Sequence, residues 1–308
     1  MSAKPSMTFL EEPWPSLALA EWKDTYATLH LYTQVIGKVR LALAPRVNHW
    51  WNVVFYVDAT GLTTSSIPYA GGVLEIRFDF IEHRLVFQTS RGSTQILMLE
   101  PRTVADFYRD VREALNSLDV SVKIWPMPVE VPNPIRFDKD RQHAAYDARQ
   151  AHRFWRVLVL ADAIFQEFRA RFVGKSSPVH FFWGGFDHCV TRFSGRRAPE
   201  REGANAIDRE GYSHEVISAG FWPGGGAVDG PVFYAYAAPE PPGFSDSPIR
   251  PAGAYYHREM KEFFLPYEEV RKLSSPKEAV MDFLQSTYEA GANLGKWDRA
   301  TLERPGAP

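Results

Sequence analysis

Between Leu74 and Phe80 the apolar residues fall at every second position. Leu74, Ile76, Phe78 and Phe80 point one way, and Glu75, Arg77 and Asp79 the other. A period of two predicts an antiparallel strand with one buried face. Upstream the period lengthens. Leu29, Tyr32, Ile36, Val39 and Leu43 alternate spacings of three and four, so they share one face of a helix over residues 21–44, which Pro45 ends. Shorter strand-like runs occur at 50–57, 85–89, 95–99 and 120–125. Thr103 with Asp106 resembles a capping box and opens a helix to about residue 118.

Prolines at 126, 128, 132 and 134 forbid a helix and predict an extended connector. Beyond it the pattern restarts. Asp147 is placed to cap a helix over 148–172, whose apolar face is Phe154, Leu158, Ala161, Phe165, Phe168 and Phe172, with Gly174 at its C-cap. Strands are predicted at 179–193, 213–222 and 232–237. Ser275, Pro276 and Glu278 then start a helix to about residue 289.

The expected fold is α+β in two similar halves, each a long helix, an antiparallel sheet and a second helix. Residues 1–125 form the N-terminal unit, 126–146 the connector and 147–308 the C-terminal unit. RLALAPRVNHWWNVVF and RFVGKSSPVHFFWGGF align Arg40 with Arg171 and His49 with His180, which suggests an internal duplication.

Composition narrows the partners. A net charge of −2 gives no basic excess for nucleic acid or an anionic membrane. No run approaches the ~20 apolar residues of a membrane span. The single cysteine, Cys189, excludes an intramolecular disulfide and cysteine-rich metal sites. MSAKPSMTFLEEPWPS lacks the pattern of a signal peptide, so a cytoplasmic protein is expected. Aromatic residues reach 14 %, with nine tryptophans, enough to line an apolar cleft as well as fill a core.

The chemistry-bearing letters gather in VHFFWGGFDHCV, residues 179–190. Read as one strand, it separates His180 from His188 by roughly 26 Å, so they cannot share a metal ion. Cys189 reads as packing. SHEV follows on the next strand. A register that sets His188 opposite His214 would bring Asp187, His214 and Glu215 together. Such a trio suits acid–base chemistry or a single divalent metal ion, the one cofactor this reading admits. Trp183 and Trp222 would wall the site and residues 239–253 would cover it, with His143, His180 and Arg192 as further ligand-binding candidates. The expected function is a small-molecule enzyme of unknown reaction in an aromatic-lined cleft. The alternatives are a non-catalytic small-ligand binder and a structural or assembly protein, and oligomerisation stays open.

WPSLALAEWKDTYATLHLYTQVIGKVRLALAP, WPMPVEVPNPIRFD, SPVHFFWGGFDHCVTRFSGRRAP, SHEV–GFWPGG and YAAPEPPGF resemble a bacterial family of unknown function, domain of unknown function 5996, over nearly the whole chain. The resemblance implies no activity. It places His143, His180, Asp187, His214 and Glu215 inside the family's motif blocks, and His188 and Cys189 as departures from them.

Overall fold

In a computed structural model, residues 12–306 are described. Residues 1–11 and 307–308, and the leader reading drawn from the first of these, lie outside them. The described residues form seven α-helices and two six-stranded antiparallel sheets, an α+β fold. No helix among them is long and apolar enough to cross a membrane.

The N-terminal half starts with α1, Leu19–Leu43. Its sheet follows: β1 (Tyr56–Val57), β2 (Gly61–Thr63), β3 (Ile67–Tyr69), β4 (Gly72–Asp79), β5 (Arg84–Thr89) and β6 (Thr94–Met98). The strand order is β1-β2-β4-β5-β6, with β3 also on β4. The period-two face of β4 is buried, as the pattern requires. Helix α2, Val104–Ser117, is capped by Thr103 Oγ1, which accepts from the Asp106 N–H at 3.1 Å. Tyr32 of α1 stacks on Phe107 of α2 at 3.8 Å between ring centroids.

Two predicted N-terminal strands differ. Residues 48–50 form a 3-10 turn, and pairing starts only at Phe55, which bridges to Phe181 ahead of the strand at Tyr56. Residues 120–125 form no strand. In the turn, His49 and Trp50 adopt φ of 57° and 61°, outside strand geometry.

In the C-terminal half, Asp147 accepts from the Arg149 and Gln150 N–H groups and caps α3, Ala148–Ala170. Gly174 does not serve as a left-handed C-cap, because α3 has already ended through Arg171 in the right-handed region. The sheet comprises β7 (His180–Phe182), β8 (Asp187–Arg197), β9 (His214–Trp222), β10 (Val232–Ala238), β11 (Tyr255–His257) and β12 (Glu262–Pro266), in the order β11-β12-β10-β9-β8-β7. Short helix α4 (Ala206–Gly211) precedes β9. Helices α5 (Tyr267–Val270), α6 (Pro276–Leu294) and α7 (Arg299–Leu302) complete the chain. Pro276 occupies the first turn of α6, while the Ser275 side chain makes no cap bond.

Helices α3 and α6 cover one face of this sheet. Phe165 of α3 lies against His188 of β8 and Phe233 of β10. The halves share one hydrophobic core, from Trp22, Tyr32 and Phe78 to Phe154, Phe221 and Tyr288. They also join through backbone: Phe55 and Phe181 exchange two hydrogen bonds of 2.8 Å.

Candidate functional site

The segment predicted as one strand over 179–193 is a hairpin. WGGF, residues 183–186, turns the chain, and β8 returns against β7 with His180 opposite Cys189 and Phe181 opposite His188. The 26 Å separation of His180 and His188 is therefore wrong: they sit on adjacent strands. They still form no joint site, because opposed pairs share a face and these two belong to neighbouring pairs.

Two devices fix the turn. Phe186 takes the left-handed bend at φ 60°. The glycines make room: a Cβ at Gly184 would stand 2.4 Å from Glu130 Oε1, and one at Gly185 would stand 2.9 Å from Asp187 Oδ1 and 3.4 Å from Glu130 Oε2. Two carboxylates thus converge on one glycine. Helix α1 grips the same turn. His30 Nε2 donates to the Gly184 carbonyl at 2.7 Å, and Trp183 lies where a side chain at Gly37 would be.

The register of β8 on β9 also departs from expectation. His188 faces Phe221, seven residues along β9 from His214, so Asp187 and His214 lie at opposite ends of the sheet. That span is roughly 23 Å. A shift between Phe193 and Arg197 then sets Arg197 opposite His214. Glu215 faces away from His214's side, since neighbours in a strand alternate. It accepts from Ser194 Oγ at 2.8 Å and Arg196 Nε at 2.9 Å. Asp187, His214 and Glu215 therefore share no site. Among the described residues no group of three or more His, Cys, Asp or Glu side chains is arranged to hold a metal ion. The single-metal arrangement does not fit these residues.

What surrounds Asp187 was not predicted. On the face away from α3 and α6, Cys189 pairs with Gly220, Gly220 with Tyr234, and Tyr234 with Phe264. At the missing Gly220 side chain, the Tyr234 ring crosses β9. Its hydroxyl donates to Asp187 Oδ2 at 2.5 Å. The Cys189 thiol lies beside both groups, buried, and its pKa is driven up by burial and then by the Asp187 charge.

Asp187 is recessed but not sealed. Its carboxyl is pushed up to about 6, chiefly by burial; Tyr234's hydrogen bond opposes this and the Glu130 charge reinforces it. Glu262, on β12, is pushed up to about 7 by burial and by Asp187. Glu130 shifts upward through burial and Asp208. Burial and like charge thus bring Asp187 and Glu262 close to neutrality, where a carboxyl exchanges protons readily.

The walls are aromatic. Phe182, Trp222 and Tyr236 pack around Cys189, Val228, Val232, Tyr234 and Phe264. Val228 comes from the loop after β9, folded by reciprocal Gly225–Val228 hydrogen bonds. Residues 239–253, expected to cover the site, lie elsewhere: Phe244 packs on Phe263 and near Gly291 of α6, on the helix side. Of two surface concavities, one lined by Glu215, Pro239 and Trp297 and the other by Tyr108, Arg112 and Arg136, neither contains Asp187.

Of the other predicted residues, Trp222 and His180 belong to this face, and the Trp222 indole meets the Tyr26 hydroxyl. Trp183 is buried in the turn and donates to the Val53 carbonyl at 2.7 Å. His143 stands in the other half, its Nδ1 2.7 Å from Asp140 Oδ2. His180 is fully buried, edge-on to Phe182, with burial lowering its pKa to about 3. Arg192 is turned toward α3. Its guanidinium is buried 3.5 Å above the Phe168 ring and donates to the Phe168 carbonyl at the end of α3. His188 donates to Asp162 on the helix side.

No curated protein and no solved structure matches the chain. Residues 14–304 match a family defined as a family of unknown function, DUF5996. The match spans the helices, both sheets and every residue of the Asp187 site, and the chain belongs to that family.

Proposed function

We propose that the protein is a small-molecule enzyme using acid–base chemistry at Asp187. The observation that carries this reading is the Asp187–Tyr234 hydrogen bond on an aromatic-walled face, with Glu262 on the same face feeling the Asp187 charge. Tyr234 occupies Oδ2 and orients the carboxyl, leaving Oδ1 to take or give a proton. Glu262 is a second carboxyl of raised pKa, lifted by burial and by the Asp187 charge. No metal enters this chemistry as proposed.

A non-catalytic binding role is the second reading. It is favoured by three carboxylates of raised pKa beside tyrosine and tryptophan rings, a setting that suits an organic cation. Both readings keep a small molecule as the partner, rather than nucleic acid or membrane, in a cytoplasmic protein with one buried thiol. The repeated order of helix, antiparallel sheet and helix supports an internal duplication.

The test is a panel of amines, alcohols, esters and amides, screened by thermal shift and then assayed for turnover. The enzyme reading expects turnover that Asp187→Asn abolishes while binding persists. Binding without turnover across the panel moves the assignment to the second reading. Turnover unchanged in Asp187→Asn overturns the first.

A further inference from the structure

At the far end of the same sheet face lies a second cluster, separate from Asp187. We propose that Lys175 is a nucleophilic amine, activated by His49, that forms an imine with an aldehyde or ketone. Its geometry is that of a nucleophile, a base and a group that orients the base.

Lys175 Nζ lies 2.8 Å from His49 Nε2. His49 Nδ1 lies 3.1 Å from the Gly211 carbonyl, which only an N–H can satisfy. The proton is thereby assigned to Nδ1, and Nε2 is left as an acceptor aimed at the amine. Each partner is held firmly. The Lys175 carbonyl accepts from the Phe193 N–H at 3.0 Å, tying the segment to β8. His49 and Trp50 are bulky residues in the left-handed region, a conformation retained only where surroundings enforce it.

The rings of Phe193 and Trp51 flank Nζ at 4.8 and 5.6 Å. His214 stands edge-on to His49 at 5.8 Å between centroids. The charged and titratable neighbours favour neutral forms. Burial lowers Lys175; burial, Lys175 and His214 lower His49; and burial, Lys175 and Arg197 lower His214. The Glu210 carboxylate is engaged by Arg46. Lys175 itself remains solvent-exposed.

In the reaction, the neutral Lys175 amine adds to the carbonyl carbon and a C–N bond forms as the C=O π pair moves to oxygen. His49 Nε2 takes the proton from nitrogen and returns it to that oxygen. Loss of water leaves the imine, so amine and carbonyl give imine and water without any redox partner.

The full chain is incubated with 4-carboxybenzaldehyde across pH, reduced with borohydride and digested, and labelling at each lysine is read by mass spectrometry. Lys175 is expected to label several-fold faster near neutral pH than the exposed Lys123 and Lys272, and to reach its plateau at lower pH. His49→Gln is expected to remove both differences, and Lys175→Arg to abolish the label at that position. Lys175 labelling no faster than Lys123 and Lys272 overturns the proposal, and so does a folded His49→Gln that labels like the wild type. If His49→Gln fails to fold, the wild-type plateau decides: one at the pH of the other two lysines overturns the proposal.

Discussion

A methyl group on Gly220 would stand 2.5 Å from the Tyr234 hydroxyl. The tyrosine ring therefore fills the space that any other residue on the middle strand would occupy, and it spans from β10 to Asp187 on β8 across that gap. The glycine and the tyrosine form one device, and the contact at Asp187 depends on both.

Gly220→Ala should accordingly destabilise the fold, since the added carbon also meets the His188 carbonyl at 2.6 Å. Overpacking of this kind costs about 1–3 kcal/mol. Gly230→Ala, where a Cβ meets nothing within 4 Å, should stay within about 0.5 kcal/mol of the wild type. Urea unfolding of the two variants measures the contrast; equal midpoints would show that Tyr234 yields without cost.

Tyr234→Phe removes the donor to Asp187 and leaves the ring. The hydrogen bond now holds the carboxyl down against burial, so its loss should raise the Asp187 pKa above about 6. Carboxyl-carbon NMR over a pH titration reads this directly. An unmoved Asp187 resonance midpoint would mean that the bond does not form in solution.

The two raised carboxyls make stability pH-dependent in a defined direction. Asp187 and Glu262 bind protons more tightly folded than unfolded, with folded values of about 6 and about 7 against ordinary values of 3.8 and 4.5. The folded state therefore holds more protons across the window from about pH 4 to 7, and their contribution to stability falls as pH rises through it. Asp187→Asn with Glu262→Gln should gain stability on the wild type at pH 7.5 relative to pH 5, by on the order of 1–3 kcal/mol. Denaturation curves for both proteins at both pH values test the sign.

Arg192 is expected to matter for folding and not for anions. Buried under Phe168 and Tyr288 and bonded to the Phe168 carbonyl, it closes the end of α3. Arg192→Leu leaves that carbonyl without its charged donor, a loss of about 1–3 kcal/mol. Phosphate titrations monitored by thermal shift should be the same for any folded Arg192 variant and the wild type. A phosphate response lost with Arg192 would restore the anion role read from the sequence.

Much of the scaffold was legible because it is written in local chemistry. The alternation in β4, the cap at Thr103 and the cap at Asp147 each depend on residues a few positions apart. The hairpin at 183–186 was missed for a physical reason. Its glycines serve the approach of Glu130, while the left-handed residue is Phe186, so the usual turn signature is absent. The β8–β9 register was unreadable because both strands are buried on both faces along much of their length, and no alternation marks a preferred pairing. The companions read for Asp187 from the sequence are not the ones the fold gives it: Tyr234 comes from β10 and Glu262 from β12, brought to its face only by strand order.

The grip of α1 on the 183–186 turn bears on how the chain could be shortened. Asp187 is the first strand residue after a turn held by His30 and seated against Gly37. The first half of the molecule thus serves as a mould for the second. A fragment beginning after the connector would keep Asp187, Tyr234 and Glu262 in its sequence and lose the surface against which the first of them is shaped. Adding the missing half in trans is the natural way to restore it.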